Sequence, residues 1–309
     1  MGLPGITNRA TIGRFYARID PLTATGWADD VSMLFPTDQA SEVYRWLGQT
    51  PAVREWIGGR AAKAFQEKGV TIINKTYEST IDLGVDDMRR DKTGQILSRI
   101  DELGDRVAEH YHKLLTDLIV TPGNAYDGFP YFGTNHLEGD SGTQINALTN
   151  TQVPALDVVT ATNPTEDEMS LAIRGVVGYM LGQKDDQGEP MNANARSFLI
   201  MCPVGLFGAA LAAALNPLIA TGTGAKTNLL TNLKGWNFRV EINPRLATQT
   251  VFYVFRTDAS AKPFIRQEEL FETGSEDQSF FNNRMLFGVK TIRAVGPGYW
   301  QYASKATLS

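Results

Sequence analysis

Three histidines, one cysteine and a glycine-rich run ending near a lysine are the residues whose chemistry could go beyond packing. His110 and His112 fall two apart in a helical stretch, so their rings point to different faces and do not chelate one ion together. His136 lies in GTNHLEGD beside Glu138 and Asp140, a carboxylate-flanked imidazole of the kind used in general acid–base work. No nucleophile motif accompanies it. A Gly-x-Ser-x-Gly elbow, a His-Glu-x-x-His helix and a paired Cys-x-x-Cys are all absent from the sequence. Thr221 to Thr227, TGTGAKT, has the composition of a phosphate loop, but Ala225 separates the glycine from Lys226 and a helix precedes the run, so it reads as a flexible loop. Cys202 is alone in an apolar run, which excludes an internal disulfide or a multi-cysteine metal site and suits a buried, inert thiol. These residues name no catalytic group, metal or cofactor. A hydrolase using His136, Glu138 and Asp140 stands as the chemical alternative.

Composition sets wider bounds. A chain of 309 residues with 42% hydrophobic and 20% charged residues can bury a sizeable core, so neither disorder nor a fibrous repeat is indicated. The formal net charge of -5 argues against a protein whose main task is gripping nucleic acid, because phosphate neutralisation needs clustered Lys and Arg. The opening run MGLPGITNRATIGRF has no apolar core of signal-peptide length and Ile6 breaks the myristoylation pattern, so cytoplasmic production is expected. From Phe198 through Ala225 there is no charge. Pro203, Gly205, Gly208, Asn216 and Pro217 interrupt that stretch, which favours a buried strand at Ser197–Cys202 feeding a buried helix at Val204–Leu215 over a membrane span.

The elements that would position these residues follow from periodicity. Residues 1–36 sustain no helical or strand period and read as an extended arm. Thr37 or Asp38 can cap a short helix over TDQASEVYRWLG. Trp46 and Trp56 flank Pro51, with Arg54, Glu55 and a Gly58-Gly59 pair, as an aromatic corner that anchors one element on another. Arg60–Phe65 and Thr71–Leu83 form two arms of a long hairpin turning near Lys68, with Ile73, Tyr77, Ile81 and Leu83 on one face. The strongest helical period runs from Thr93 to Ile119, about 27 residues or roughly 40 Å at 1.5 Å per residue. A third helix, about Glu166–Leu181, starts with Asn163-Pro164 or Thr165 as cap and buries Met169, Leu171, Ile173, Val176, Val177 and Met180. Phe238–Ile242, Thr250–Phe255, FIRQEEL, MLFGVKTIRAV and YWQYA complete the chain as strands. Helix and strand mix without regular βαβ alternation, which makes the class α+β.

The runs WLGQTPAVREWIGGR, VTIINKTYESTIDL and VDDMRRDKTG, with AYDGFPYFGTNH at Ala125–His136, KPFIRQEELFE at Lys262–Glu272 and GYWQYASKA, resemble the major head subunit of Mu-type tailed phages. The resemblance spreads over most of the chain. It implies the tailed-phage and herpesvirus shell-protein fold, and assembly in place of catalysis. By that resemblance residues 1–36 are an arm lying on a neighbouring subunit, 37–59 a tryptophan-rich linker, and 60–92 an extended hairpin loop reaching over the next copy. Residues 93–196 are a peripheral domain with a spine helix, 197–281 an axial domain, and 282–309 strands returning to the periphery. Trp46, Arg54, Glu55, Trp56, Arg60, Lys68, Ile73, Tyr77, Ile81, Asp86, Asp87, Arg89 and Arg90 are the implied assembly contacts. The partners implied are further copies in hexamers and pentamers, a scaffold or protease, a portal and a decoration protein. The shell would be a virion component built in the bacterial cytoplasm around double-stranded DNA, without sequence-specific binding or membrane contact. A cellular nanocompartment shell of the same fold is the structural alternative.

Overall fold

The computed structural model describes residues 13–15, 17, 18, 26–45, 69–90, 94–221, 224–278 and 283–309. In chain order the elements are α1 (Ala28–Val31), β1 (Ser32–Pro36), β2 (Ser41–Tyr44), β3 (Val70–Ile73), β4 (Lys75–Gly84), α2 (Val85–Arg90), α3 (Gln95–Ala108) and α4 (His110–Val120). Then come β5 (His136–Leu137), β6 (Thr143–Gln144), β7 (Ala147–Leu148), α5 (Glu166–Leu181), β8 (Ser197–Cys202), α6 (Phe207–Leu215), β9 (Leu218–Thr221) and β10 (Gly224–Thr227). The last are α7 (Leu229–Asn232), β11 (Asn237–Ile242), β12 (Val251–Arg256), β13 (Phe264–Gln278), β14 (Arg284–Pro297) and β15 (Ala303–Thr307). The α+β class holds.

Two sheets carry the architecture. The first has strand order β11-β8-β12-β15-β7. Successive side chains on a strand point to opposite faces, and both faces of this sheet are covered. Leu199 and Met201 of β8 and Tyr253 and Phe255 of β12 join one core with α4 (Leu115, Ile119), Trp27 and Val31. Phe198, Ile200 and Cys202 of β8 and Phe252 and Val254 of β12 join a second core under α5 and α6. That two-sided burial is why SFLIMC and VFYVFR are almost wholly apolar. The second sheet, β1-β13-β14-β4, is built on a long antiparallel ribbon running from Phe264↔Pro297 to Gln278↔Arg284. Ile96, Ile100 and Leu103 of α3 pack on its Leu83, Met285, Phe287 and Val289 to make a third core, which Phe15 completes. The Phe15 ring meets Phe287 edge-on at 5.5 Å.

Several expectations change. The helix expected from Thr37 is, over Ser41–Tyr44, strand β2; backbone pairing with β3 overrides a weak helical pattern. Arg60–Lys68 lies outside the described residues, and the second hairpin arm pairs with β2 and β14. Its face also breaks: Asn74 interrupts the strand, so Ile72 is buried and Ile73 is 65% exposed, while Tyr77, Ile81 and Leu83 turn inward. The long helix is interrupted at Glu109. Where the TGTGAKT run reads as a loop, Thr221 ends β9 and Gly224–Thr227 form β10, which pair antiparallel, with Lys226 Nζ 2.5 Å from Asp167. The α6 helix is buried on one side only, and Leu171 is exposed. Trp300–Tyr302 form a 3-10 turn ahead of β15. Because β13 and β14 are one ribbon, a division at 281/282 runs through a paired unit, and β15 lies in the sheet of β8 and β12.

Helix α5 starts as expected. Thr165 accepts from Glu168 N at 3.3 Å while Glu168 accepts from Thr165 N at 2.8 Å, a reciprocal capping box. Thr165→Ala is expected to lower the unfolding free energy by about 1 kcal/mol and Thr165→Ser to restore it, read from urea unfolding of the dispersed subunit.

Candidate functional site

The turn at Asp127-Gly128 and strand β5 bring the one imidazole with carboxylate neighbours into a closed cluster. Asp127 Oδ1 accepts from Phe129 N at 3.1 Å, which fixes the turn, and leaves Oδ2 2.6 Å from His136 Nδ1. The ring lies flat on Trp300, 3.9 Å between centroids and 9° from parallel. Its Nε2 sits 3.3 Å from Asn146 Oδ1. Asn146 also accepts from Gly133 N at 2.8 Å and donates to Tyr131 O, Trp300 O and Ala303 O. Both side chains of the His136–Asp127 pair are 0% exposed. A general base must come within hydrogen-bond reach of the proton it takes, and nothing from solvent reaches this ring.

The other two expected partners go elsewhere. Glu138 accepts from Tyr126 Oη at 2.7 Å, and Gln301 Nε2 donates to the same hydroxyl at 2.8 Å. Burial first, and the Glu138 charge second, push the Tyr126 hydroxyl well above its ordinary range. The Asp140 backbone N–H donates to Asp186 O at 2.8 Å. Gly139 has φ of +52° and a Cβ there would lie 2.2 Å from Asp186 O, so that approach requires glycine. His136, Glu138 and Asp140 therefore do not converge. The cluster is a buried polar pin joining the 125–146 loops to the 299–303 turn.

His110 and His112 diverge, as their spacing requires. His110 meets Tyr77 edge-on at 4.4 Å and His112 packs on Trp27 at 5.1 Å. Among the described residues no group of three His, Cys, Asp or Glu could hold a metal ion, and no helix is long and apolar enough to cross a membrane.

Of the expected assembly residues, Trp46, Arg54, Glu55, Trp56, Arg60 and Lys68 lie outside the described residues, as does the Arg89 side chain. Ile73 is exposed. Tyr77 and Ile81 face the α3–α4 side of the second sheet, and Ile81 packs on the third core. Asp86 accepts from Asn283 Nδ2 at 2.8 Å. Asp87 and Arg90 line a cavity of about 350 Å³ with Asp82 and Arg99, so the structure brings these charges together at one end of the ribbon.

Two features escaped sequence reading. Arg14 and Arg18 each make a two-pronged contact to α3, Arg14 Nε to Asp101 Oδ1 at 2.7 Å and Arg18 Nη2 to Asp105 Oδ2 at 2.9 Å. The signal was present as matched four-residue spacings, Arg14/Arg18 and Asp101/Asp105. The other is a buried stack in which Arg293 and Arg266 lie over Tyr111, at 4.4 and 5.2 Å, while Tyr111 Oη donates to Glu268 at 2.7 Å. Nothing in the local sequence signals that grouping.

A family model described as Mu-like prophage major head subunit gpT matches residues 14–164 and 234–309. The Mu-like prophage FluMu major head subunit of Haemophilus influenzae is 30% identical over 125 residues, 39% of this chain and 41% of the relative. The major capsid protein of Escherichia phage Mu is 24% identical over 277 residues, 88% of this chain and 64% of the relative. The chain thus spans less than two thirds of the length of these curated relatives. In the procapsid of bacteriophage JBD30 a chain superposes with a TM-score of 0.52 at 22% identity, covering 97% of this chain and 75% of that one.

Asp127→Ala leaves the buried His136 Nδ1 without its acceptor, and a loss of about 2–3 kcal/mol in urea unfolding is expected. A second expectation concerns acid. Burial first, then Arg293 and Lys113, push His110 down to about 4, and the same kind of burial lowers His112. The unfolded rings take up a proton near their ordinary 6.5 while the folded ones do not. Stability present above about pH 6.5 is therefore lost as pH falls towards about 4. Urea midpoints measured across that window should fall with pH, and His110→Gln should flatten the slope in part.

Proposed function

Because the chain belongs to the Mu-like prophage major head subunit family, we propose that it is the structural shell subunit of a phage head, closing an icosahedral container from hexamers and pentamers of itself. The family match over 14–164 and 234–309 carries this reading. The burial of His136 supports it from the other side, since the one acid–base candidate is inaccessible and the family is structural, not enzymatic. The five-stranded sheet with α5 and α6 serves as the axial body near the symmetry axes. Helices α3 and α4 with the β13–β14 ribbon serve as the peripheral body. The Trp46–Lys68 stretch, Ile73 and the Asp86, Asp87, Arg89 and Arg90 charges contact the neighbouring copy. Charges at such boundaries set register and orientation more than affinity. Many modest interfaces sum to a stable container. A scaffold or protease, a portal and a decoration protein are the further partners. The head is assembled in the bacterial cytoplasm and encloses DNA as part of the virion.

Negative-stain electron microscopy of particles made from the complete set of head genes tests this. Closed shells holding DNA are expected from the intact chain. Replacing residues 46–68 by a Gly/Ser linker should leave the circular dichroism unchanged and give capsomers without closed shells. Particles filled with a packaged enzyme in place of DNA, or no particles from the intact chain, would overturn the reading.

A further inference from the structure

Beyond β1, the ribbon sheet is covered among the described residues on one face. Met285, Phe287 and Val289 of β14 point to α3 and the third core, and the alternate residues point away from it. On that outward face Thr76, Glu78, Thr80, Glu272 and Lys290 are exposed and line one groove of about 640 Å³. Its floor is a cross-strand pair of glycines, Gly274 of β13 directly opposite Gly288 of β14. Glycine inside a strand weakens it, so a pair in mid-ribbon calls for a reason. The fold supplies none at Gly274. Neither glycine has a positive φ, and the pairing runs without a bulge from Leu270↔Ile292 to Gln278↔Arg284. A Cβ built on Gly274 meets nothing within 4 Å, and one on Gly288 would crowd only Thr80 Oγ1, at 3.0 Å. Bare backbone that the subunit itself does not require marks a place where another backbone comes close.

We propose that this groove docks an extended, positively charged segment of a neighbouring protein in the head, with the partner's backbone laid across the Gly274–Gly288 pair. The inference rests on the shell-subunit reading and deepens it by naming a contact and the chemistry of what it takes. Charge selects the occupant. Glu78, Lys290 and Glu272 stand in register across the groove, two carboxylates to one ammonium. Asp82 and Glu276 lie on the same outward rows, and Arg284 pairs with Asp82. Three carboxylates, Glu78, Glu272 and Glu276, therefore stand on this face against Lys290. A Lys or Arg of the partner meets that excess, and complementary charge fixes which segment docks and in what register. The same carboxylates repel nucleic acid, whose backbone is answered by clustered cations.

Substitution at the glycine separates a role in the fold from a role in docking. Gly274→Thr should leave the urea midpoint of the dispersed subunit unchanged or raised, because a β-branched residue suits a strand. With all head genes present, it should cut the yield of particles about tenfold or more, since its side chain fills the groove floor. Glu78→Lys combined with Glu272→Lys should lower the yield by a similar factor of about ten, whereas a nucleic-acid occupant would leave it undiminished or raise it. Thr76→Cys reports occupancy against the silent background of buried Cys202. Its maleimide labelling should slow about tenfold or more in assembled particles relative to dispersed subunits. A Gly274→Thr subunit with a lowered urea midpoint, normal particles from that variant or from the charge reversal, or equal labelling of Thr76→Cys in both states would overturn this contact and leave the shell reading standing. An intact chain that forms no particles would overturn both.

Discussion

Everything in this subunit depends on a sheet whose two central strands must satisfy cores on opposite sides at once. In β8, Phe198, Ile200 and Cys202 serve one core and Leu199 and Met201 the other; in β12, Phe252 and Val254 divide from Tyr253 and Phe255 in the same way. A slip of one residue would exchange the two sets entirely, so register is held from both faces. Burying both strands removes the need for polar alternation and concentrates apolar sequence there. The helices α4 and α5 take their places because each covers one of those faces.

The polar chemistry follows from that arrangement. Loops leading into β7 have to reach the sheet edge while carrying backbone and side-chain groups that lose water, and Asp127, His136, Asn146, Tyr126, Glu138 and Gln301 supply partners for one another. A buried network of this kind favours one arrangement when its members are satisfied. The same burial that makes the imidazole a good pin removes it from any substrate. An acid–base motif in sequence therefore describes a residue set, and accessibility decides what the set does.

Legibility in the sequence followed the range of the interaction. Helix α5 with its cap at Thr165, and strands β8, β11 and β12, were readable because hydrophobic period and end signals lie inside each segment. Ser41–Tyr44 was misread because its strand state comes from β3, a partner beyond residue 69. Ile73 was misassigned because the break at Asn74 is a switch of pairing from β2 to β14, which periodicity does not register. The resemblance of long Trp-, Gly- and Arg-rich runs identified the family, but His136 was grouped with Glu138 and Asp140 by closeness in sequence, while its true partner, Asp127, stands nine residues earlier across a turn. The stack of Arg266 and Arg293 on Tyr111 joins segments more than 150 residues apart, and no local pattern announces it.

The position of β15 between β12 and β7 has a consequence for the order of events in the cell. Strand β7 ends at Leu148 and its sheet partner begins only at Ala303, so roughly 150 residues must be translated before the edge is paired. At elongation speeds of roughly 5–20 residues per second that interval is about 8–30 s. Throughout it the second core lacks Ala306 and Leu308, and the polar pin lacks Trp300. Both faces of that sheet therefore reach their native packing only once residues 300–308 have been made.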